Sequence, residues 1–328
     1  MAKGLIEFTP KGMYVPMADV YIDPSAAVEK AFLTHAHSDH ARPGSSVYFA
    51  HQQSVPILKH RLGNPQISSY QYGESLLVNG VKFSFHPSGH VPGSAQIRLE
   101  YNGEIWVAGG DYKVENDGLS IPFEPVKCHT FITESTFGLP IYQWQKQEIV
   151  FNQINDWWKA NQEKKMASVI FAYSLGKAQR ILQNVNHEIG EVYVHGSIAN
   201  MNEACEAAGF KLKPWKILNS GVGKESTKTA LIIAPPSAAG TNWLNKFEPY
   251  SDAVASGWMA VRGSRRRLSA DKGFVLSDHA DWDGLNYAVE ASGAKKIIVS
   301  HGFTAAYARW LNEQGYEAIE EGLSFSEE

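Results

Sequence analysis

Cysteine is nearly absent from this 328-residue chain, with only Cys128 and Cys205 present. Two thiols cannot build a disulfide framework, and they leave no thiolate set for a closed structural zinc site. Long hydrophobic runs are missing as well. No stretch approaches the ~20 apolar residues that a bilayer span needs. The opening segment, MAKGLIEFTPKGMYVP, lacks the apolar core and small-residue cleavage site of a secretory signal. A cytoplasmic location with no membrane association is therefore expected. Charge of one sign is also lacking: the net charge is −4, so the sum does not advertise a nucleic-acid partner. No internal repeat or low-complexity segment interrupts an ordinary globular composition, 44% hydrophobic and 20% charged. The basic residues gather in two places, Arg262, Arg265, Arg266 and Arg267, and Lys211, Lys213 and Lys216. Such clusters are ordinarily solvated surface, and only other evidence would turn them toward phosphate.

What is present in quantity is histidine and aspartate in one short stretch. FLTHAHSDHARPG places His35, His37, Asp39 and His40 within six positions, directly after an apolar strand. In extended backbone, side chains two apart point the same way, so His35 and His37 can share one metal ion. Asp39 and His40, at the turn beyond, can serve a second. Imidazole and carboxylate donors suit zinc or manganese. Two such ions can hold an activated hydroxide and clamp the attacking and leaving oxygens of a phosphoester. More donors are needed, and candidates stand at other strand ends: His90 in PSGHVPGSA, Asp111 in WVAGGDYK and His301 in IIVSHG. A lone histidine at a strand end is usually structural or exposed, but beside a four-donor cluster that reading loses ground.

The chain around these residues changes rhythm twice. ESLLVNGVKFSF and SAQIRLEYNGEIWVAGG each set Asn-Gly between apolar-rich strands, which predicts two hairpins over roughly 70–110. From about 145, helical spacing of Val150, Ile154, Trp157 and Trp158 precedes ASVIFAY, and strand–helix alternation continues to ALIIAPP. Such alternation predicts a parallel sheet flanked by helices. The Trp pair is read as core rather than as a base-stacking platform. After the basic stretch, KGFVLSDHADWDGL and AKKIIVSHGFT repeat a strand ending in histidine followed by a helix.

With these motifs in view, THAHSDH, His90 and Asp111 resemble the metal-binding signature of the metallo-β-lactamase superfamily. The later TESTFG, LSDHAD and VSHG resemble its β-CASP branch of nucleases. PKGMYVPMADVYIDP, GDYKVENDG, FEPVKCHTFITESTFGLPIY and ASGWM narrow the likeness to the bacterial ligase-associated DNA exonucleases, relatives of Artemis-type repair nucleases. The resemblance implies an α/β fold, a metallo-β-lactamase αββα sandwich carrying an inserted β-CASP α/β domain. Its expected boundaries are 1–144, 145–265 (the insertion) and 266–328. It implies two divalent ions, zinc or manganese. His35, His37 and His90 would hold one ion; Asp39, His40 and His301 the other; Asp111 would bridge them. Asp39 would also orient the hydroxide. His279 would protonate the leaving 3′ oxygen, and Glu134 would orient a ligating or catalytic histidine. AYSLGKAQR matches a segment that holds a substrate phosphate through Ser174 and Lys177. Asp23 in YIDP sits where the superfamily often has a structural acid, although Asp-Pro is also an ordinary turn former.

The implied activity is 5′ to 3′ hydrolysis of DNA in repair, in functional association with an ATP-dependent DNA ligase and a helicase. An RNase J-like RNA nuclease is the alternative, since a histidine stands at 301 as in the RNA-processing branch. A small-molecule metallo-hydrolase needs no insertion of this length, and a non-catalytic binding protein would not keep every ligand position filled.

Overall fold

A computed structural model describes residues 4–219, 221–261 and 270–321. The Arg262, Arg265, Arg266 and Arg267 cluster lies outside the described residues. The chain separates into two compact units. One comprises residues up to Asn116, Ser120–Gln143 and the chain from His279 onward; the other comprises Asp117–Leu119 and Trp144–Asp278.

The first unit is built on two mixed sheets. A six-stranded sheet runs in chain order from Glu7–Thr9 to Ile67–Tyr70. A seven-stranded sheet carries Ser75–Val78, Val81–Pro87, Ala95–Tyr101 and Glu104–Ala108 in antiparallel succession. Thr130–Ser135, Lys296–Gly302 and Glu317–Glu320 then extend it in parallel. The alternating pattern of the hairpin strands explains the layering. Phe83, Phe85, Ile97 and Leu99 meet Val15, Val20, Ile22 and Phe32 in one buried cluster between the sheets. The opposite face of the second sheet, through Val107, Phe131, Ile297 and Val299, buries against helices Trp282–Ser292 and Thr304–Glu313. Both expected hairpins are present. Asn79-Gly80 and Asn102-Gly103 have φ of +47°/+85° and +49°/+82°, the left-handed pair that a two-residue turn requires.

The second unit is a parallel six-stranded sheet. Ala167–Phe171 lies between Leu231–Ala234 and Tyr250–Ala255, with Val192–Val194, Lys216–Ile217 and Lys272–Phe274 outside them. Successive residues of these strands enter opposite cores: Ile170, Val194 and Ile233 one, Val169, Tyr193 and Ile232 the other. That two-sided burial is why the strands read as continuous apolar runs. Trp158 is fully buried in the first of these cores, with Trp157 packed against it. The return to the first unit comes at His279, not at the expected 266. Lys272–Phe274 pairs in parallel with Tyr250–Ala255, which keeps the chain with the second sheet until Asp278. No helix among the described residues is long and apolar enough to cross a membrane.

One core histidine gives the fold a pH dependence. His51 is 2% exposed, stacked on Tyr72 with ring centroids 3.5 Å apart, and its Nδ1 has no hydrogen-bond partner. Burial pushes its pKa down to about 4. The unfolded chain takes up this proton near pH 6.5, whereas the folded chain does so only near 4. Stability from this group is therefore complete above about 6.5 and drains away as pH falls toward 4. The thermal midpoint is expected to drop more between pH 7 and 5 in the wild type than in His51→Phe. Equal drops would show that His51 titrates alike in both states.

Candidate metal centre

Short strands deliver the first donors to one place. Lys30–Phe32 ends just before Thr34, and the backbone then turns through His37, whose carbonyl accepts from the N–H groups of His40 and Ala41. The turn folds the four expected donors back on one another. His90 arrives on the loop after Val81–Pro87, where Gly89 has φ +73° and a Cβ would lie 2.2 Å from the Lys113 carbonyl. Only glycine fits there. Asp111 follows Glu104–Ala108, and Glu134 lies in Thr130–Ser135.

The side chains converge. His37 Nδ1 lies 3.1 Å from His35 Nε2 and 3.2 Å from His90 Nε2. Asp111 Oδ2 lies 3.6 Å from His35 Nε2 and 3.7 Å from His90 Nε2. One donor atom from each of these four residues falls within 4.8 Å of all the others. Nitrogen and oxygen donors 2.0–2.1 Å from a tetrahedral ion stand about 3.3 Å from each other, so these separations match the edges of such a cage. The same Asp111 oxygen is 3.5 Å from His40 Nε2, which is 3.6 Å from Asp39 Oδ2. One Asp111 oxygen thus lies close to donors of both expected sets. Asp39 Oδ1 is buried and has no hydrogen-bond partner, an arrangement that is costly unless a cation or water occupies it.

The electrostatics favour a cation. Burial works against charge on His40, but Asp111, Asp23 and Asp39 around it outweigh that cost and push its pKa up to about 10. Three carboxylates holding a proton on an imidazole mark a pocket with surplus negative charge. His35 goes the other way: burial first, then the neighbouring imidazoles, hold it well below its usual range, so its ring nitrogen is available as a ligand. His301 stands in neither close donor group among the described residues. It lies in Lys296–Gly302, paired in register with Glu134, and acts electrostatically on Asp39 and Asp111. Gly302 beside it has φ +83°, and a Cβ there would sit 2.2 Å from the Ser135 carbonyl oxygen.

A supporting layer fixes the rings. Asp23 is fully buried, accepts from the Thr34 N–H at 2.8 Å and from its hydroxyl, and lies 2.8 Å from His40 Nδ1. That contact places the His40 proton on Nδ1 and turns Nε2 toward Asp111. Thr34 Oγ1 is 3.0 Å from His35 Nδ1, so a single threonine ties the two histidines to one acid. Sequence reading left Asp23 as support and did not find Thr34; the only signal for Thr34 is its place directly before His35. Glu134 makes a second cluster with Asp111 and His279. Its oxygens accept from the Tyr112 N–H at 2.9 Å and the Thr136 hydroxyl, and lie 2.8 Å from His279 Nδ1. Burial opposes its charge, but the His279 imidazole and these hydrogen bonds prevail and hold its carboxyl below the usual range.

Ser174 and Lys177 belong to the second unit. Ser174 Oγ lies 3.5 Å from Ser197 Oγ. Lys177 is 5% exposed, with Nζ 2.9 Å from Asp278 Oδ2 and 4.8 Å from the centre of the Tyr173 ring. Its charge is thus shared with a buried carboxylate 101 residues away, a partner that sequence reading did not foresee.

No family model matches the chain. Curated relatives do. A probable DNA ligase of Opitutus terrae is 27% identical over 311 residues, 94% of this chain and 30% of that protein. An RNase J-like protein of Methanocaldococcus jannaschii is 25% identical over 207 residues, 52% of this chain and 48% of that protein. The cleavage and polyadenylation specificity factor 73 of Drosophila melanogaster is 29% identical over 119 residues, 36% of this chain and 17% of that protein. This chain thus spans less than half the length of each. The crystal structure of a protein of unknown function from Enterococcus faecalis V583 shares the fold, with a TM-score of 0.60 at 12% identity over 91% of this chain and 80% of that one. With RNase J-like and cleavage-factor relatives aligned to a chain that carries this fold and this histidine–aspartate cluster, the protein is a relative of the β-CASP nucleases of the metallo-β-lactamase superfamily.

Proposed function

We propose that the chain is a metal-dependent nuclease that hydrolyses DNA phosphodiester bonds, working 5′ to 3′ from a phosphorylated end. The observation that supports this most strongly is Asp111 Oδ2, which lies within 3.5–3.7 Å of His35, His90 and His40 at once. In this reading His35, His37 and His90 hold one divalent ion, Asp39, His40 and His301 the other, and Asp111 serves both. When bound, zinc or manganese supplies Lewis acidity toward the phosphate and activates water near neutral pH. Asp39 orients that water through its otherwise unpartnered oxygen. His279, held through Nδ1 by Glu134, presents Nε2 and delivers a proton to the departing 3′ oxygen.

DNA is favoured over RNA because the relative named as a DNA ligase aligns with nearly the whole chain, while the RNase J-like relative aligns with about half. The same likeness supports a role beside a ligase, and the proposal extends this to DNA repair with a helicase as a further functional partner. Ser174, at the mouth of helix Lys177–Asn184, anchors the end phosphate in this reading, and Lys177, paired with Asp278, contributes to the same anchor. Matched DNA and RNA strands labelled at either end, digested with manganese or zinc, test the assignment. DNA is expected to shorten from its 5′ end by small products, and faster digestion of RNA would transfer the assignment to the RNase J-like alternative. Lys177→Ala is expected to slow cleavage of 5′-phosphorylated DNA about tenfold more than cleavage of a 5′-hydroxyl strand, the scale of one lost charge-assisted contact. Equal losses would leave Lys177 as a partner of Asp278 alone.

A further inference from the structure

The second unit contains a cavity of about 430 Å³ that the metal chemistry does not use. Leu218, Val222 and Phe247 give it an apolar lining, and Trp243, Asn219, Thr227 and Lys246 complete it. Its position follows from the sheet. Leu218 and Asn219 come directly after strand Lys216–Ile217, and Trp243 follows Leu231–Ala234, so the cavity opens at the carboxyl edge of parallel strands. The chain leaves Ala167–Phe171 toward one side of the sheet, to Val192–Val194, and leaves Leu231–Ala234 toward the other, to Tyr250–Ala255. Such a reversal, at this edge, is where open parallel sheets take ligands.

Three of the cavity's four polar side chains, Asn219, Trp243 and Lys246, offer donors, and the fourth, Thr227, brings a hydroxyl that both donates and accepts. Asn219 Oδ1 already accepts the Gly221 N–H at 3.0 Å, which leaves its Nδ2 to offer. Among the described residues, Trp243 Nε1 and Lys246 Nζ make no hydrogen bond or ion pair. An apolar, aromatic cavity ringed by uncommitted donors suits a ligand with a flat ring and an acceptor-rich anionic part. A nucleotide has both. The cavity also connects to Ser174. The Trp243 and His195 rings are 5.1 Å apart, His195 Nδ1 is 2.9 Å from Ser197 Oγ, and Ser197 Oγ is 3.5 Å from Ser174 Oγ. One nucleotide against Trp243 and a phosphate at Ser174 and Ser197 would follow a single line along this edge.

We infer that this cavity binds one nucleotide of a single strand, its base against Trp243 and Phe247 and its phosphate at Lys246. The inference rests on the nuclease reading for its choice of ligand, but its test does not require cleavage. Binding of a 3′-fluorescein-labelled single-stranded 12-mer is measured by anisotropy in EDTA over a series of salt concentrations. Trp243→Ala is expected to raise Kd about tenfold, as loss of a base-stacking ring does. Lys246→Gln, an exposed change that spares the packing, is expected to raise Kd about fivefold and to lower the salt slope by about 0.7. Wild-type Kd and slope in Lys246→Gln would overturn the inference even if Trp243→Ala failed to fold. Displacement of the 12-mer by a free mononucleotide at equal molar concentration would overturn it too, by making the cavity a site for free nucleotides. If the wild type binds in this variant-sensitive way yet cleaves nothing with manganese, the nuclease reading fails and the cavity stands. If it cleaves but both variants bind normally, only the cavity falls.

Discussion

Asp111→Asn is expected to lower DNA cleavage by about three orders of magnitude and to remove bound metal at the same time. The reason is the position of one atom. Asp111 Oδ2 faces His35, His90 and His40, so a neutral amide there weakens both donor sets together. It also removes one of the three carboxylates that favour a cation, the one that contributes first to lifting His40 to about 10. A loss of about 4 kcal/mol in transition-state stabilisation corresponds to that rate factor. The fold should survive, because asparagine has the same shape. Metal per chain, measured on protein purified without chelator, is expected to fall from about two toward zero, with an unchanged circular dichroism spectrum. A variant that keeps both ions and works within tenfold of wild type would remove Asp111 from the bridging position. Asp23→Asn provides the contrast: it meets His40 directly and reaches His35 only through Thr34, so it should weaken metal retention by about 10–100-fold, less than Asp111→Asn does.

What the sequence disclosed follows the range of the forces involved. Asn-Gly turns are decided by two residues, and both hairpins stand where their dipeptides are. The histidine cluster was equally legible, because extended backbone and a tight turn over six positions leave His35, His37 and His40 little choice but to face one point. His90 and Asp111 were legible as candidates at strand ends, but their assignment to particular ions came from the family likeness, since nothing local says that two loops about twenty residues apart will meet. The supporting layer was harder to read. Asp23 looks like a turn former beside Pro24, and its bond to His40 spans seventeen residues. Lys177 reads as a cation at a helix start, and its pairing with Asp278 depends on a contact 101 residues distant. The boundary at His279 was hidden for the same reason. A three-residue strand, Lys272–Phe274, has too little pattern to announce which sheet it joins. Local chemistry was visible in the sequence, whereas the pairing of buried charges was not.

His279→Ala is expected to slow cleavage about 10³-fold, within the range of a lost general acid, and Glu134→Gln about 30-fold. The informative quantity is their combination. Glu134 Oε2 meets His279 Nδ1 at 2.8 Å, while its other oxygen holds the Tyr112 N–H beside Asp111. If Glu134 works by orienting His279, removing it matters only while the imidazole is present, so the double variant should be no slower than His279→Ala alone. Independent roles would instead multiply to about 3 × 10⁴. The pH profile separates orientation from simple packing. The buried carboxyl of Glu134 titrates below its usual range because His279 and its hydrogen bonds favour the charged form. It therefore stays ionised through neutral pH, and its contribution disappears only as pH falls through that lowered value. An ionised neighbour stabilises an imidazolium, so its loss in Glu134→Gln should shift the alkaline limb of the rate profile to lower pH, with the acid limb less affected. A Glu134→Gln profile that is lower but unmoved, together with a multiplicative double variant, would assign Glu134 to the packing of the Asp111 loop and leave His279 to act without it.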